Sequence, residues 1–134
     1  MNNINDIIPG ELPAFNNLAK QLVKVKQDGW AIQFIKNPSE EVQLAAVKQN
    51  GRAIYFILGK GIIPSIAVQR AAVLNHPFGA LEGMIEHDFP ISKMIQWTAA
   101  KEIKEQCLVS KIGHKTLDYL NPSVREYLFD QNNK

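Results

Sequence analysis

The sequence predicts an all-α domain, a short solenoid-like stack of helix-turn-helix repeats. Three observations carry that expectation. The segment Val25-Lys26-Gln27-Asp28-Gly29-Trp30-Ala31-Ile32-Gln33-Phe34-Ile35 returns 22 residues later as Val47-Lys48-Gln49-Asn50-Gly51-Arg52-Ala53-Ile54-Tyr55-Phe56-Ile57, with eight of eleven positions matching. A chain that repeats itself at such a period stacks copies of one small unit. The second observation is a full set of helix start and stop signals around the later copy. The third is the lack of a comparable strand signal. Only Ala53 to Leu58 is apolar and aromatic enough for a β-run, and its twin Ala31 to Ile35 sits in the same helical frame.

The first unit, about residues 15–36, is found by shifting back 22 positions, which lays Gln21-Leu22-Val23 on Gln43-Leu44-Ala45. The second, about 37–62, is the best defined. Asn37 is expected to cap its long helix, with Pro38 in the first turn and Glu40 closing a capping box. Val42-Gln43-Leu44-Ala45-Ala46-Val47-Lys48 has apolar residues at helical spacing, and Asn50-Gly51 is expected to end it in a left-handed cap. The unit then reads as a helix of about 12 residues, a Gly turn and a helix of about 7. A forward shift of 26 gives the third unit, about 63–88, with Pro64, Val68-Gln69 and Ala71-Ala72-Val73 on Pro38, Val42-Gln43 and Ala45-Ala46-Val47. Its Gly turn is replaced by Asn75-His76-Pro77, and Pro77 is expected to start the short helix Gly79 to Glu86. A degenerate fourth unit, about 89–112, is expected to start at Pro90 and bury Met94, Trp97, Thr98 and Ala99. Asn121-Pro122-Ser123 opens a last helix, about 121–130. The whole chain, 1–134, reads as one domain.

The run Glu41-Val42-Gln43-Leu44-Ala45-Ala46-Val47-Lys48-Gln49-Asn50-Gly51-Arg52-Ala53-Ile54 resembles a tandem helical-repeat family of bacterial and viral proteins. Members of that family carry a Glu-Val-x-Leu-Ala-Ala-Val-Lys-x-Asn-Gly-x-Ala-Leu core. The resemblance is specific over about residues 37–57, fair over 25–36 and weak beyond 64. It implies an all-helical repeat and supplies no catalytic residue and no cofactor. A short single-domain member is similar to the small accessory proteins that phages carry, and this implies a protein that binds and inhibits a host or defence factor.

Composition narrows the classes. Hydrophobic content of 46% suits one soluble core, and a net charge of +2 with a pI near 8.7 is a weak bias for nucleic acid. The single cysteine, Cys107, excludes an internal disulfide and fits a reducing compartment. No apolar run approaches the ~18–20 residues of a membrane span, and Met1-Asn2-Asn3-Ile4-Asn5-Asp6 lacks the basic start of a leader. A cytoplasmic protein is expected, in a host cytoplasm if phage-encoded.

Comparing the copies separates frame from surface. Ala31/Ala53, Ile32/Ile54, Phe34/Phe56, Ile35/Ile57, Val42/Val68, Ala45/Ala71, Ala46/Ala72 and Val47/Val73 match and are assigned to the frame. Trp30 against Arg52, and Gln33 against Tyr55, change chemistry while their neighbours do not. A buried frame position does not tolerate a Trp-for-Arg exchange, since an unpaired guanidinium is costly to bury. Trp30, Gln33, Arg52 and Tyr55 are therefore the candidate contact surface, rich in the residue types that dominate binding energy. The competing reading puts Trp30 and Tyr55 in the core and leaves Arg52 as a solvated charge. The expected occupant of the surface is a protein partner or a second copy of this chain.

No catalytic or metal-binding pattern is found. His76, His87 and His114 are far apart in the chain, and His87 and Asp88 are neighbours that point apart. Cys107 with His114 has nothing to activate a thiol, and Gly59-Lys60-Gly61 is too short for a phosphate loop. Glu82 and Glu86 share a helical face and read as a solvated acidic pair. Lys20, Lys24, Lys26, Lys36, Lys48, Arg52 and Lys60 outnumber the acids of that stretch, which is the one argument for a nucleic-acid contact. The expectation is thus a non-enzymatic binding protein without cofactor, with nucleic-acid binding as the alternative.

Overall fold

The computed structural model describes residues 17–131, and every regular element in that range is helical. The expected first unit begins at residue 15, so its first two residues, and the N-terminal segment read for a leader, lie outside the described residues. The chain runs α1 (Leu18–Gln27), a 3-10 helix Gly29–Phe34, α2 (Glu40–Gln49), a 3-10 turn Gly51–Ala53 leading into α3 (Ile54–Gly59), α4 (Ile66–Asn75) and α5 (Pro77–Glu86). It continues as α6 (Lys93–Glu105), a 3-10 turn Val109–Lys111, α7 (His114–Tyr119) and α8 (Pro122–Phe129).

Two layers result. The long helices α1, α2, α4 and α6 pack side by side in chain order, and α8 closes the row against α6. The short elements form the second layer: the Gly29–Phe34 helix lies against α3, α3 against α5, and α5 against α7. Sequential packing follows from the unit itself. A short amphipathic pair cannot cover its own apolar face, so each unit must cover the next. The frame residues Ile32, Ile35, Val42, Ala46, Val47, Ile54, Ile57, Val68, Ala72 and Val73 are fully buried between the layers.

Two expectations about the units are corrected by their hydrogen bonds. Asn37 is exposed and is not the cap of α2. Ser39 is, its Oγ accepting from Val42 N–H at 3.4 Å, and Ser65 and Ser92 do the same for Val68 at 3.3 Å and Ile95 at 3.3 Å. This places the residue before each cap at Pro38, Pro64 and Ile91, so the fourth unit is in register one residue later than Pro90 suggests. The shift changes its buried face: Ile95, Gln96, Ala99, Ala100 and Ile103 are buried, while Met94 is 53% exposed and Trp97 and Thr98 are only partly covered. The third unit's short helix starts at Pro77, as the sequence leads one to expect.

The same register exposes a polar pin that repeats with the unit. Gln43 Nε2 donates to Pro38 O at 3.0 Å, Gln69 Nε2 to Pro64 O at 2.9 Å, and Gln96 Nε2 to Ile91 O at 3.0 Å. Each amide is buried and reaches back five residues to the carbonyl just before its helix cap. It occupies the place where an apolar pair more often staples a helix entry. Gln96 also receives Asn121 N–H at 2.7 Å and so ties α8 to the stack.

Asn50 and Gly51 do not adopt the left-handed conformation expected of them. Asn50 is extended, with φ −151° and ψ 109°, and Gly61 is the only described glycine with positive φ. Gly51 is required for a different reason: the end of α4 lies against it. A Cβ there would overlap Ala72 O and come within 2.9 Å of His76 N. Its counterpart Gly29 is pressed in the same way by α2, where a Cβ would lie 2.6 Å from Ala46 O. Phe34 departs from the frame altogether and is 66% exposed, whereas Phe56 is partly buried.

Candidate functional site

The first three long helices, α1, α2 and α4, each end on a residue that works twice. The N–H groups of Asp28, Asn50 and His76 donate to Lys24 O at 3.0 Å, Ala46 O at 2.8 Å and Ala72 O at 2.9 Å, completing the last turn. Their side chains then accept from the next element: Asp28 Oδ1 from Trp30 N–H, Asn50 Oδ1 from Arg52 N–H, and His76 Nδ1 from Gly79 N–H, all at 3.0 Å. The following unit holds the glycine between. Gly29 N–H donates to Gln49 Oε1 at 2.6 Å, and Gly51 N–H to Asn75 Oδ1 at 2.6 Å, while Asn75 Nδ2 donates to Lys48 O at 2.9 Å. These bonds fix the starts of the short helices, and so fix where Trp30 and Arg52 leave the backbone.

On the outer face of the short layer these elements enclose a cleft of about 230 Å³. Trp30, Arg52, Tyr55, Phe56, Gly79, Glu82, Gly83 and Glu86 line it. An aromatic row forms one wall. Trp30 meets Phe56 edge-on at 5.1 Å and 69°, Phe56 meets Tyr55 at 5.5 Å and 88°, and Tyr55 leans on the His87 ring at 4.7 Å and 55°. The edge-to-face geometry is that of mutually attractive rings. The opposite wall is α5, which approaches closely because it carries glycine at two contact positions. The Arg52 stem crosses Gly79 where a Cβ would otherwise stand, and Gly83 lies against Tyr55, whose Cβ would be 3.4 Å from an added methyl. Glu82 and Glu86, one helical turn apart, project from that wall.

Three of the four candidate surface residues therefore meet in one place. Trp30 is 39% exposed and Tyr55 41%, and Arg52 is exposed. Both rings pack on Phe56, Tyr55 also on His87, and both remain partly open to solvent, so they are neither core nor free. Gln33 is exposed but does not line the cleft, and its carbonyl accepts from Lys60 Nζ at 2.9 Å. The comparison of copies missed Phe56, which matched between units and was assigned to the frame. It also missed the α5 wall, although Glu82 and Glu86 stood out in the sequence as a pair on one face. A larger groove of about 1040 Å³ lies between α6 and α8, lined by Lys101, Lys104, Tyr127 and Phe129 among others. Its central cation is engaged, with Lys104 Nζ donating to Tyr127 O at 2.8 Å and Asp130 O at 2.7 Å.

Among the described residues no group of three His, Cys, Asp or Glu side chains is placed to hold a metal ion, and no helix is long and apolar enough to cross a membrane. Cys107 is exposed and lies on the turn after α6.

The class this architecture defines is an all-α stack of short helical repeats with a small aromatic and acidic cleft on its short-helix face. No family model matches the chain, and neither a curated protein nor a solved structure shows significant similarity to it.

Proposed function

We propose that the chain is a non-enzymatic protein-binding module that engages its partner through the short-helix face, centred on Trp30, Tyr55 and Arg52. The observation that carries this reading is the cleft itself. Two large aromatic side chains from different repeat units are held half-exposed over one concavity. Aromatic residues and Arg in a preformed hollow are the usual anchors of a protein interface. The hydrogen bonds at Asp28, Asn50, Gly29 and Gly51 preorganise the hollow, which lowers the ordering cost of binding. In keeping with the resemblance over residues 37–57, the partner is a host or defence factor that the chain, as a phage accessory protein, inhibits. The cleft's two carboxylates against one guanidinium speak against phosphate as its occupant.

An affinity capture from lysate, with and without nuclease, tests this. The expected result is a protein retained equally in both and lost with Trp30→Ala. Retention that disappears on nuclease treatment would replace this reading with nucleic-acid binding. Sedimentation of the isolated protein tells a second copy of the chain from a foreign partner.

A further inference from the structure

The charges in the cleft stand where the fold gains nothing from them. Glu86 is the last residue of α5 and Glu82 lies one turn before it, at the helix end whose exposed carbonyls are already partly negative. Two like charges four residues apart on a helix repel each other. The last turn of α5, like those of α4 and α8, contains no basic residue, whereas α1, α2 and α6 close with Lys24 and Lys26, Lys48, and Lys104. Among the described residues neither glutamate makes an ion pair or a side-chain hydrogen bond. Residues that break a local rule with no compensating contact are expected where a site needs them.

The aromatic wall facing them has the same sign. The faces of Trp and Tyr rings are electron-rich and attract cations. The molecule contains a filled example at its other end. Trp97 and Tyr127 meet at 5.2 Å, and Lys104 Nζ sits 4.5 Å from the Tyr127 ring centroid. Among the described residues no lysine or arginine lies over the rings of Trp30 or Tyr55, and on Tyr55 only the His87 imidazole leans, at 4.7 Å. With Arg52 counted, the cleft keeps one net negative charge.

We propose that the cleft receives a cationic side chain, lysine or arginine, from the partner, seated against Trp30 and Tyr55 and neutralised by Glu82 and Glu86. This rests on the cleft being the partner-binding surface. It adds the chemistry of the group that enters. A buried basic anchor explains both the half-exposed rings and the unpaired carboxylates with one ligand group.

The test uses the full chain and two probes, acetyl-Gly-Arg-Gly-amide and the uncharged isostere acetyl-Gly-citrulline-Gly-amide. The readout is the pair of Trp indole N–H resonances. Trp30 is assigned by its loss in Trp30→Phe, and Trp97 serves as the internal control. The arginine probe should shift the Trp30 signal saturably and leave Trp97 in place, with the citrulline probe about tenfold weaker or more. The double variant Glu82→Gln/Glu86→Gln should lose most of that preference while its melting temperature holds or rises by about 1–2 °C. Arg52→Gln should tighten the arginine probe. Equal shifts with both probes, no shift at Trp30, or a fall in melting temperature in the double variant would overturn the inference. Partner capture separates it from the reading it rests on. Capture lost in Trp30→Ala but kept in the double glutamine variant leaves the surface and removes the cation. An arginine-selective Trp30 shift with capture indifferent to Trp30 leaves the cation site and removes the surface.

Discussion

The stem of Arg52 lies over Gly79 in the space where any other residue at 79 would carry its Cβ. This crossing sets the width of the cleft, because α5 comes as close to the Trp30–Tyr55 wall as one arginine stem permits. It also explains why the position equivalent to Trp30 in the next unit can be an arginine. The side chain runs along the outside of a glycine instead of entering the core, so its charge stays in water.

Glycines of this fold differ in what a methyl group would meet, and substitution should separate them in sign. At Gly51 an added Cβ runs into the backbone of α4 at Ala72 and His76, which cannot move aside. Gly51→Ala should cost about 3 kcal/mol, at the upper end of overpacking effects. At Gly83 the nearest atoms are at ordinary contact distance, 3.4 Å to Tyr55 Cβ and 3.6 Å to Ile54 Cγ2, and the residue is inside a helix. Gly83→Ala should stabilise by about 0.5–1 kcal/mol. Urea titrations of the two variants check both signs.

The helix entries are held by Ser39 and Gln43, not by Asn37. Ser39→Ala should cost about 1 kcal/mol and Asn37→Ala close to nothing. Gln43→Leu keeps the volume of the side chain but leaves the carbonyl of buried Pro38 without its amide donor. It should cost about 1–3 kcal/mol, the penalty of an unsatisfied buried group. Thermal melts of the three variants rank them, and equal effects at 37 and 39 would contradict the observed register.

Cys107 follows α6 in the left-handed region, with φ 57°, while Leu108 N–H donates to Ile103 O at 2.8 Å and closes the helix end. A side chain in that conformation is strained and glycine is not. Cys107→Gly should raise stability by about 0.5–1 kcal/mol. Melting under reducing conditions, so that no thiol chemistry intrudes, measures the gain.

How far the sequence reaches is visible in particular residues. The two-layer stack was legible because Ile32/Ile54, Val42/Val68 and Val47/Val73 do the same packing in successive units, and identical work leaves identical residues. The cap of α2 is displaced by two positions because Asn37-Pro38 and Ser39 are both acceptable helix starts, and only the register of the Gln43 pin decides between them, whereas Asn121 caps α8 as expected. Gly51 was legible as obligatory but not as to cause, since a turn and a close approach both demand glycine. The site was half legible. Trp30, Arg52 and Tyr55 stood out because surface positions vary between copies where frame positions cannot. Phe56 was hidden because it packs on the frame and lines the cleft as well. The α5 wall depends on tertiary placement that no spacing encodes.

The central claim is that the short-helix face, and not the long-helix face, binds the partner. Partner capture by Trp30→Ala and Tyr55→Ala tests it most directly, with Met94→Ala on α6 of the long layer as the control. Trp30→Ala loses the edge contact with Phe56, about 1–2 kcal/mol, so each variant is compared at a temperature where it is fully folded. The account predicts that both aromatic variants lose capture at least about tenfold, a loss of roughly 1.4 kcal/mol or more, while Met94→Ala retains it. Undiminished capture by folded Trp30→Ala and Tyr55→Ala, or loss confined to Met94→Ala, would contradict it.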